Sequence, residues 1–291
     1  MICIVMDLSK NPHSLTSRLK RHQLATESGD VVWFELGSGA PLLLLHGGFG
    51  NHLHWEKNIE FFAQKYRVLI PDMPGFGESD KAPEHTIEAL LIPLISSLHQ
   101  LIKSDELIDV VCFSFGGLVG SQLVLTRGHV GHLAILGAVG HHVERRPRGE
   151  LVNWKEAYAN NDQKALYDAM RHNLLMHMIY NESVIDDNAV DIQTRACTSC
   201  RFRSREISWS GGLFEKLERI KESTATQVIL IWGEFDVTGD PAMLAEIALM
   251  RFPHFRARVM FGAGHWVQFE KANEINELLL EWLSLPNLKI A

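Results

Sequence analysis

The chain has 291 residues, of which 46% are hydrophobic and 22% charged, the composition of a globular protein with a large core. Its formal net charge of −7 argues against nucleic acid or an anionic membrane as a partner. The apolar start at 1–7 is too short for a signal-peptide core, and no apolar run approaches the ~20 residues of a membrane span. We therefore expect a cytoplasmic protein whose partner is a small-molecule substrate.

The first 140 residues alternate predicted strands with predicted helices. Two short strands are expected within 23–36, around a turn at 27–30. Apolar residues at helical spacing predict helices over 86–102 and 116–126. Continuous apolar runs, which indicate strands buried on both faces, lie at 41–45, 66–70, 107–112 and 133–139.

The same alternation returns near the end of the chain. Further buried strands are predicted at 227–232 and 257–261, with helices at 241–251 and 273–283. Strands that alternate with helices are joined by right-handed crossovers and form a mostly parallel sheet covered on both faces. The sequence therefore predicts the α/β class.

The stretch 141–212 interrupts this alternation because it contains no buried-strand run. Its periodicity predicts helices near 152–158, 163–180 and 188–197. We interpret it as a helical insertion that lies over the active end of the sheet. The expected domains are a first core part at 1–140, a helical cap at 141–212 and a second core part at 213–291.

The stretch DVVCFSFGG at 109–117 is an apolar strand that runs directly into a serine and a glycine-rich helix start. This pattern predicts a nucleophile elbow, a sharp turn that exposes the hydroxyl of Ser114. The usual pattern is G-x-S-x-G, and here Cys112 occupies the first glycine position while Gly116 occupies the second. The alternative is a serine in an ordinary junction between a strand and a helix.

The glycine loop at 46–50 follows another buried strand. We expect the backbone N–H groups of Gly48 and Phe115 to form an oxyanion hole. His46 is interpreted as a structural residue that braces the loop. His52 and His54 are expected to be surface residues at the start of the next helix.

Asp236 lies three residues beyond a glycine at the end of a strand, and His265 lies on a glycine loop after the last strand. With Ser114 they follow the order Ser, Asp, His, each at the carboxyl end of a predicted strand, where open α/β sheets place their sites. Asp240 is a rival acid, but it precedes Pro241 and is typical of a helix N-cap. We therefore predict a catalytic triad of Ser114, Asp236 and His265.

The chain resembles the α/β-hydrolase superfamily along nearly its whole length. The resemblance rests on HGGFG at 46–50, DMPGFGES at 72–79, CFSFGG at 112–117, and GHW at 264–266 after WGEFD at 232–236. It implies the α/β-hydrolase fold, a helical cap and, for 72–79, a structural turn. GHW followed by Gln268 and Glu270 is similar to meta-cleavage product hydrolases, which split a C–C bond in ring-cleavage products of aromatic compounds.

One position departs from those hydrolases. They usually carry an Asn before the nucleophile that helps to hold a dienoate, whereas this chain has Phe113. We therefore predict hydrolysis of a carboxylic ester through an acyl-enzyme on Ser114. The alternatives are C–C cleavage of a 2-hydroxy-6-oxo-dienoate and a non-catalytic small-molecule receptor. A serine at the elbow argues against haloalkane dehalogenases and epoxide hydrolases, which use Asp there.

Several residues are candidates for contacts with a substrate. Phe113 and Trp266 are expected to line the pocket. The insertion carries several arginines, which are interpreted as a solvated basic face: Arg195, Arg201, Arg203 and Arg205. The alternative is that one of them binds a substrate carboxylate, with Arg201 and Arg203 as the candidates for substrate contact.

The remaining predictions concern cysteines, cofactors and assembly. The four cysteines, including the lone C-x-x-C at 197–200, are expected to be ordinary thiols without a disulfide framework. The proposed chemistry requires no cofactor and no metal. The sequence leaves the oligomeric state open, a homo-oligomer included.

Overall fold

The computed structural model describes residues 15–286, so the apolar start and Cys3 lie outside the described residues. Its centre is an eight-stranded sheet. The strands are β1 Lys20–Thr26, β2 Gly29–Leu36, β3 Ala40–Leu45, β4 Tyr66–Pro71, β5 Ile108–Phe113, β6 Val130–Leu136, β7 Gln227–Gly233 and β8 Arg256–Met260. Their spatial order is β1-β2-β4-β3-β5-β6-β7-β8.

The sheet is parallel from β4 to β8 and antiparallel at one edge. β1 and β2 form a hairpin, and β2 pairs antiparallel with β4. The chain passes from β3 to β4 in one direction and then to β5 on the other side of β3. The carboxyl ends of β3 and β5 therefore meet where the strand order reverses, which is where open α/β sheets bind ligands.

Twelve α-helices occur within the described range. They are α1 Leu15–Arg18, α2 Glu56–Phe62, α3 Ile87–Leu101, α4 Phe115–Arg127, α5 Lys155–Ala159, α6 Gln163–Asn173, α7 Asp187–Ser199, α8 Ser204–Ser210, α9 Leu213–Ser223, α10 Pro241–Arg251, α11 Val267–Glu270 and α12 Ala272–Leu283. Short 3₁₀ turns lie at His52–Trp55 and Glu182–Val184, and a π-helical turn at Leu174–Met178.

The sheet separates two hydrophobic cores, which explains the continuous apolar runs. Side chains alternate across a strand, so Leu43 and Leu45 face one core while Leu42 and Leu44 face the other. Helices α3, α4, α9 and α10 contribute to the first core, and α2 and α12 to the second. Burial of the sheet on both faces confirms the predicted α/β class.

Most predicted elements occur within a few residues of their expected bounds, and β6 shows why one of them is shifted. It begins at Val130, three residues before the apolar run at 133–139. His132 is buried in this strand because its backbone N–H and its ring Nδ1 both lie within hydrogen-bond distance of Asp109 Oδ1 on β5, at 3.0 and 2.8 Å. Because its polar atoms are hydrogen-bonded, His132 can be buried within β6. Apolarity alone therefore placed the start of this strand too far along the chain.

The insertion contains α5 to α8 and the π-helical turn, and it lies between β6 and α9. The sequence patterns placed the start of a helix near α2 without giving its bounds, and they did not identify α1, α8, α9 or α11. Over residues 15–286, the structure contains no helix with both the length and the apolarity that a membrane crossing requires.

Candidate active site

Ser114 lies at the sharp turn between β5 and α4. Its backbone angles are φ 52° and ψ −119°, a strained combination for a residue with a side chain. The turn needs small neighbours, because a Cβ at Gly116 would lie 2.5 Å from the carbonyl oxygen of His46. Cys112 fits the first glycine position of the motif because its Sγ occupies space left by Gly120, where a Cβ would overlap it.

The structure brings Ser114, His265 and Asp236 into one hydrogen-bonded chain. The Ser114 Oγ lies 2.9 Å from His265 Nε2, and His265 Nδ1 lies 2.8 Å from Asp236 Oδ2. An ionised carboxylate can only accept, so Nδ1 carries the ring proton and Nε2 accepts from the serine hydroxyl. The three residues follow β5, β7 and β8 at the carboxyl edge of the sheet.

Asp236 is buried and well supplied with donors. Its Oδ1 accepts hydrogen bonds from the backbone N–H of Thr238 at 2.8 Å and from the Thr238 hydroxyl at 2.7 Å. Burial alone would raise the pKa of this carboxyl, but His265 and the two Thr238 donors hold the pKa below its usual value. Asp236 is therefore charged at neutral pH, which suits a group that orients and stabilises an imidazolium.

Gly48 and Phe115 line the same cavity as Ser114. Phe115 is the first residue of α4, so its N–H has no partner within the helix, and within the described range the Gly48 N–H donates to no protein group. His46 braces this loop, since its Nε2 accepts from the Met73 N–H at 3.0 Å and its Nδ1 donates to the Gly47 carbonyl at 2.8 Å. This arrangement agrees with the structural role expected for His46.

A cavity of about 600 Å³ opens over the serine and lies between the sheet and the insertion. The core contributes Ser114, His265, Gly48, Phe113 and Phe115 to its lining. The insertion contributes apolar and polar side chains, among them Arg145, Trp154, Met176, His177, Arg205 and Trp209. Phe113 thus lies where the sequence placed it.

Trp266 does not line this cavity, and the expectation that it would is wrong. It is buried, its indole N–H donates to the His54 carbonyl at 3.0 Å, and its ring stacks on Phe269 with centroids 4.2 Å apart. The side chain belongs to the core behind His265. Although Trp266 follows His265 directly in sequence, its side chain is directed into the core because the chain turns into α11 at this position.

Arg201 and Arg203 also lie outside the cavity, which corrects the expectation that they contact substrate. The Arg201 guanidinium donates to the backbone carbonyls of Ser199 at 2.7 Å, of Gly77 at 3.1 Å and of Ser79, so it ties the insertion to the turn at 72–79. The Arg203 side chain is exposed. The arginines that reach the cavity are Arg145 and Arg205.

His52 and His54 are buried, not surface residues as expected. The His52 ring donates through Nδ1 to Asp72 at 2.9 Å and stacks on Phe34. Burial holds the pKa of His54 well below its usual value, so this ring is neutral. Asp72 also accepts from the Glu78 N–H at 2.8 Å, in agreement with a structural role for the turn.

The sequence patterns missed two residues at the site. Thr238 supplies both donors to Asp236 Oδ1, and its position two residues after an aspartate is the signal that could have found it. His177 lies on the π-helical turn with its ring 5.7 Å from that of His265, and burial lowers its pKa to about 3. Nothing in the local sequence identifies His177, because its position depends on how the insertion packs on the sheet.

The described cysteines behave as thiols. Cys197 lines the cavity, and burial raises its pKa to about 12. Burial also raises the pKa of Cys112 and of Cys200. Between residues 15 and 286, no group of three or more His, Cys, Asp or Glu side chains is arranged to hold a metal ion.

The fold and the site agree with a sequence match. Residues 40–272 match the family described as alpha/beta hydrolase fold. The chain belongs to this family, which confirms the predicted fold.

The similar proteins of known name indicate the class of enzyme. The chain is similar to 2-hydroxy-6-oxo-6-(2'-aminophenyl)hexa-2,4-dienoic acid hydrolase of Metapseudomonas resinovorans, with 27% identity over 88% of each chain. It is also similar to epoxide hydrolase 3 of Xenopus tropicalis, with 24% identity over 83% of this chain and 71% of that protein. This protein is a hydrolase.

Solved structures show the same fold. Naproxen esterase from Bacillus subtilis superposes with a TM-score of 0.71 and 21% identity over 92% of both chains. A serine hydrolase involved in carbazole degradation superposes with a TM-score of 0.67 and 20% identity over 92% of this chain and all of that chain.

Proposed function

We propose that the protein hydrolyses a carboxylic ester of a small organic substrate through an acyl-enzyme on Ser114. The observation that carries the proposal is the hydrogen-bonded chain from Ser114 Oγ through His265 to Asp236, with heavy-atom distances of 2.9 and 2.8 Å. A serine hydroxyl is a weak nucleophile unless an adjacent base removes its proton, and this arrangement places that base within reach.

In the proposed reaction, His265 takes the Ser114 proton as Oγ attacks the ester carbonyl. Asp236 keeps the imidazole in the required tautomer and stabilises the imidazolium. The imidazolium then protonates the departing alkoxide, which leaves the acyl-enzyme. Water attacks the acyl carbon as His265 takes its proton, and the imidazolium returns that proton to Ser114 Oγ as the acyl–Oγ bond breaks and the acid leaves. No protein group outside the triad needs to change its protonation state.

The tetrahedral intermediate carries a negative oxygen that needs donors. We assign this role to the free N–H groups of Gly48 and Phe115, which border the cavity beside Ser114. Removal of one such donor costs about 3 kcal/mol in comparable enzymes. The insertion at 141–212 acts in this proposal as a cap that closes the cavity over the ester.

A second candidate is hydrolytic C–C cleavage of a 2-hydroxy-6-oxo-dienoate. It is favoured by the relative from Metapseudomonas resinovorans, which carries that substrate class in its name and aligns over 88% of both chains. The apolar Phe113 beside the nucleophile supports the ester instead, because C–C cleavage requires polar help to ketonise the dienoate before attack. The same triad also serves thioesterases, acyltransferases and hydroxynitrile lyases.

A fluorophosphonate label tests the nucleophile. We expect the wild type to be labelled and Ser114→Ala not to be, and equal labelling of the two proteins would overturn the assignment. A comparison of kcat/KM for 4-nitrophenyl esters and for 2-hydroxy-6-oxo-6-phenylhexa-2,4-dienoate separates the two candidates. A much higher value for the dienoate would replace ester hydrolysis with C–C cleavage.

A further inference from the structure

The charge of the cavity lining differs from that of the whole protein. The chain carries a net charge of −7, yet the cavity over Ser114 is lined by the cations Arg145, Lys155 and Arg205. Among the described residues that line it, none is an aspartate or a glutamate. The cavity wall is therefore positive in an otherwise acidic protein, and a cavity lined by one sign of charge concentrates ligands of the other sign.

In the described part of the chain, the guanidinium groups of Arg145 and Arg205 contact an aromatic ring but have no polar protein partner. Several other arginines of the protein form ion pairs, such as Arg146 with Asp240 at 3.2 Å and Arg195 with Asp191 at 2.8 Å. Within residues 15–286, neither Arg145 nor Arg205 makes a hydrogen bond or an ion pair. Arg145 is half-buried, and its pKa is lowered by that burial and by the charge of Arg205, while the charge of Asp236 acts in the opposite direction. It remains charged, because the pKa of a guanidinium is far above neutral.

One aromatic side chain holds both guanidinium groups in place. The Cζ of Arg205 lies 4.4 Å from the centre of the Trp209 ring, and the Cζ of Arg145 lies 5.5 Å from it. Arg205 and Trp209 are four residues apart on α8, so they share one face of that helix. Arg145 reaches the same ring from the segment that follows β6. The stack limits the freedom of both side chains and leaves their donors available to a ligand.

The arginine pair lines the same cavity as Ser114 and His265. His177 lies between the arginines and the triad on the cavity wall, and its ring is 5.7 Å from that of His265. Burial and the charges of His265, Arg145 and Arg205 lower its pKa, while the charge of Asp236 acts in the opposite direction. The cavity has a volume of about 600 Å³. A substrate of ordinary size can therefore contact the arginines while its ester lies at Ser114.

We propose that Arg145 and Arg205, held by Trp209, form a carboxylate-binding subsite, so that the preferred substrate is an ester that also carries a carboxylate. The proposal rests on the ester hydrolysis proposed above. Guanidinium groups suit this role because they pair with carboxylates through two parallel hydrogen bonds. Of the arginines that the sequence offered for this role, Arg205 lines the cavity, whereas the side chains of Arg201 and Arg203 lie outside it.

The first test compares matched esters in the wild type, Arg145→Gln and Arg205→Gln. One pair is 4-nitrophenyl hydrogen glutarate, which carries a carboxylate on the acyl side, and 4-nitrophenyl pentanoate, which lacks it. The other pair is 4-acetoxybenzoate, which carries a carboxylate on the alcohol side, and 4-methylphenyl acetate, which has a methyl group in its place. We expect the ratio of kcat/KM, anionic over neutral, to fall by about tenfold or more in at least one pair.

Arg203→Gln is the matched control, because this arginine is exposed just before α8 and its side chain lies outside the cavity. Its ratios should equal those of the wild type. Unchanged ratios in both Arg145→Gln and Arg205→Gln would overturn the subsite. Thermal unfolding checks that each variant is folded, and Arg205→Gln, an exposed position, provides a second variant if Arg145→Gln is unstable.

A binding measurement separates this proposal from the proposed reaction. Glutarate is titrated by calorimetry into Ser114→Ala and into Ser114→Ala combined with Arg145→Gln. We expect the second protein to bind about tenfold more weakly, and equal affinity or no binding to either would reject the subsite. If the wild type neither reacts with a fluorophosphonate nor cleaves any ester, the proposed ester hydrolysis is rejected. The glutarate titration still tests the carboxylate-binding subsite in that case.

Discussion

Cys112 and Gly120 lie against each other at the nucleophile elbow, so that a Cβ at Gly120 would overlap the Cys112 Sγ. The two positions therefore compensate: a larger residue stands where the usual motif has glycine, and a glycine stands opposite it on α4. This relationship explains how the elbow forms without the first glycine of G-x-S-x-G. It also predicts that the two positions are energetically coupled.

Gly120→Ala should destabilise the wild type by about 1–3 kcal/mol, because the added methyl group overpacks a full core. In a Cys112→Gly background the same change should be neutral or stabilising, since alanine favours a helix over glycine by about 1 kcal/mol. Urea unfolding of the four proteins measures this double-mutant cycle. An equal destabilisation by Gly120→Ala in both backgrounds would show that the two residues do not compete for space.

Thr238→Val should weaken catalysis by removing one of the two donors to Asp236 Oδ1. We expect kcat to fall severalfold and the free energy of unfolding to fall by about 2 kcal/mol, because a hydrogen bond to a charged group is lost. Thr226→Val is the matched control, since Thr226 is also buried and donates to the Val130 carbonyl at 2.8 Å, away from the site. It should reduce stability without lowering kcat, so an equal effect of both variants on kcat would contradict the role of Thr238.

Asp72→Asn should remove a pH-dependent part of the stability. Burial alone would raise the pKa of Asp72, but His52 and the Glu78 N–H hold it below the unfolded value. A carboxyl whose pKa is lower in the folded state contributes stability above the unfolded pKa of about 3.9, and loses it as pH falls through the folded pKa. The difference in unfolding free energy between wild type and variant should therefore be large at pH 7 and shrink below about pH 4.

Chemical denaturation of Asp72→Asn between pH 3 and pH 7 provides this measurement. The exposed Asp105→Asn is a suitable control, because this side chain has no hydrogen bond or ion pair in the described part of the chain. A stability difference for Asp72→Asn that stays constant across this range would show that the carboxylate charge is not what stabilises the turn at 72–79.

Arg201→Gln should affect stability and not the recognition of anionic substrates. The guanidinium donates to the carbonyls of Ser199, Gly77 and Ser79, and loss of these bonds at an exposed position should cost about 1 kcal/mol. We expect a lower midpoint of unfolding and no change in the ratio of kcat/KM between anionic and neutral esters. A selective loss of activity on the anionic ester would restore the original expectation for this residue.

Much of the fold could be predicted because local sequence patterns indicate which strands are buried. A run such as Leu42–Leu45 has no polar face, so both of its faces are buried only in a sheet that is covered on both sides. Ser114, Asp236 and His265 could be located in the same way, since each follows such a run directly. Local context was less reliable where a polar side chain has a distant partner, as His132 has in Asp109 and His52 has in Asp72.

By itself, the sequence determined the class of fold, the strands and helices of the core, and the three residues that meet at the carboxyl edge of the sheet. Only the tertiary structure decided which side chains surround them. Arg145 and Arg205 reach the cavity while Arg201 and Arg203 do not, although all four lie in or beside the same insertion. The physical reason is that the direction of each arginine depends on how the segments of the insertion pack on the sheet, and no local pattern of charge or apolarity determines that packing.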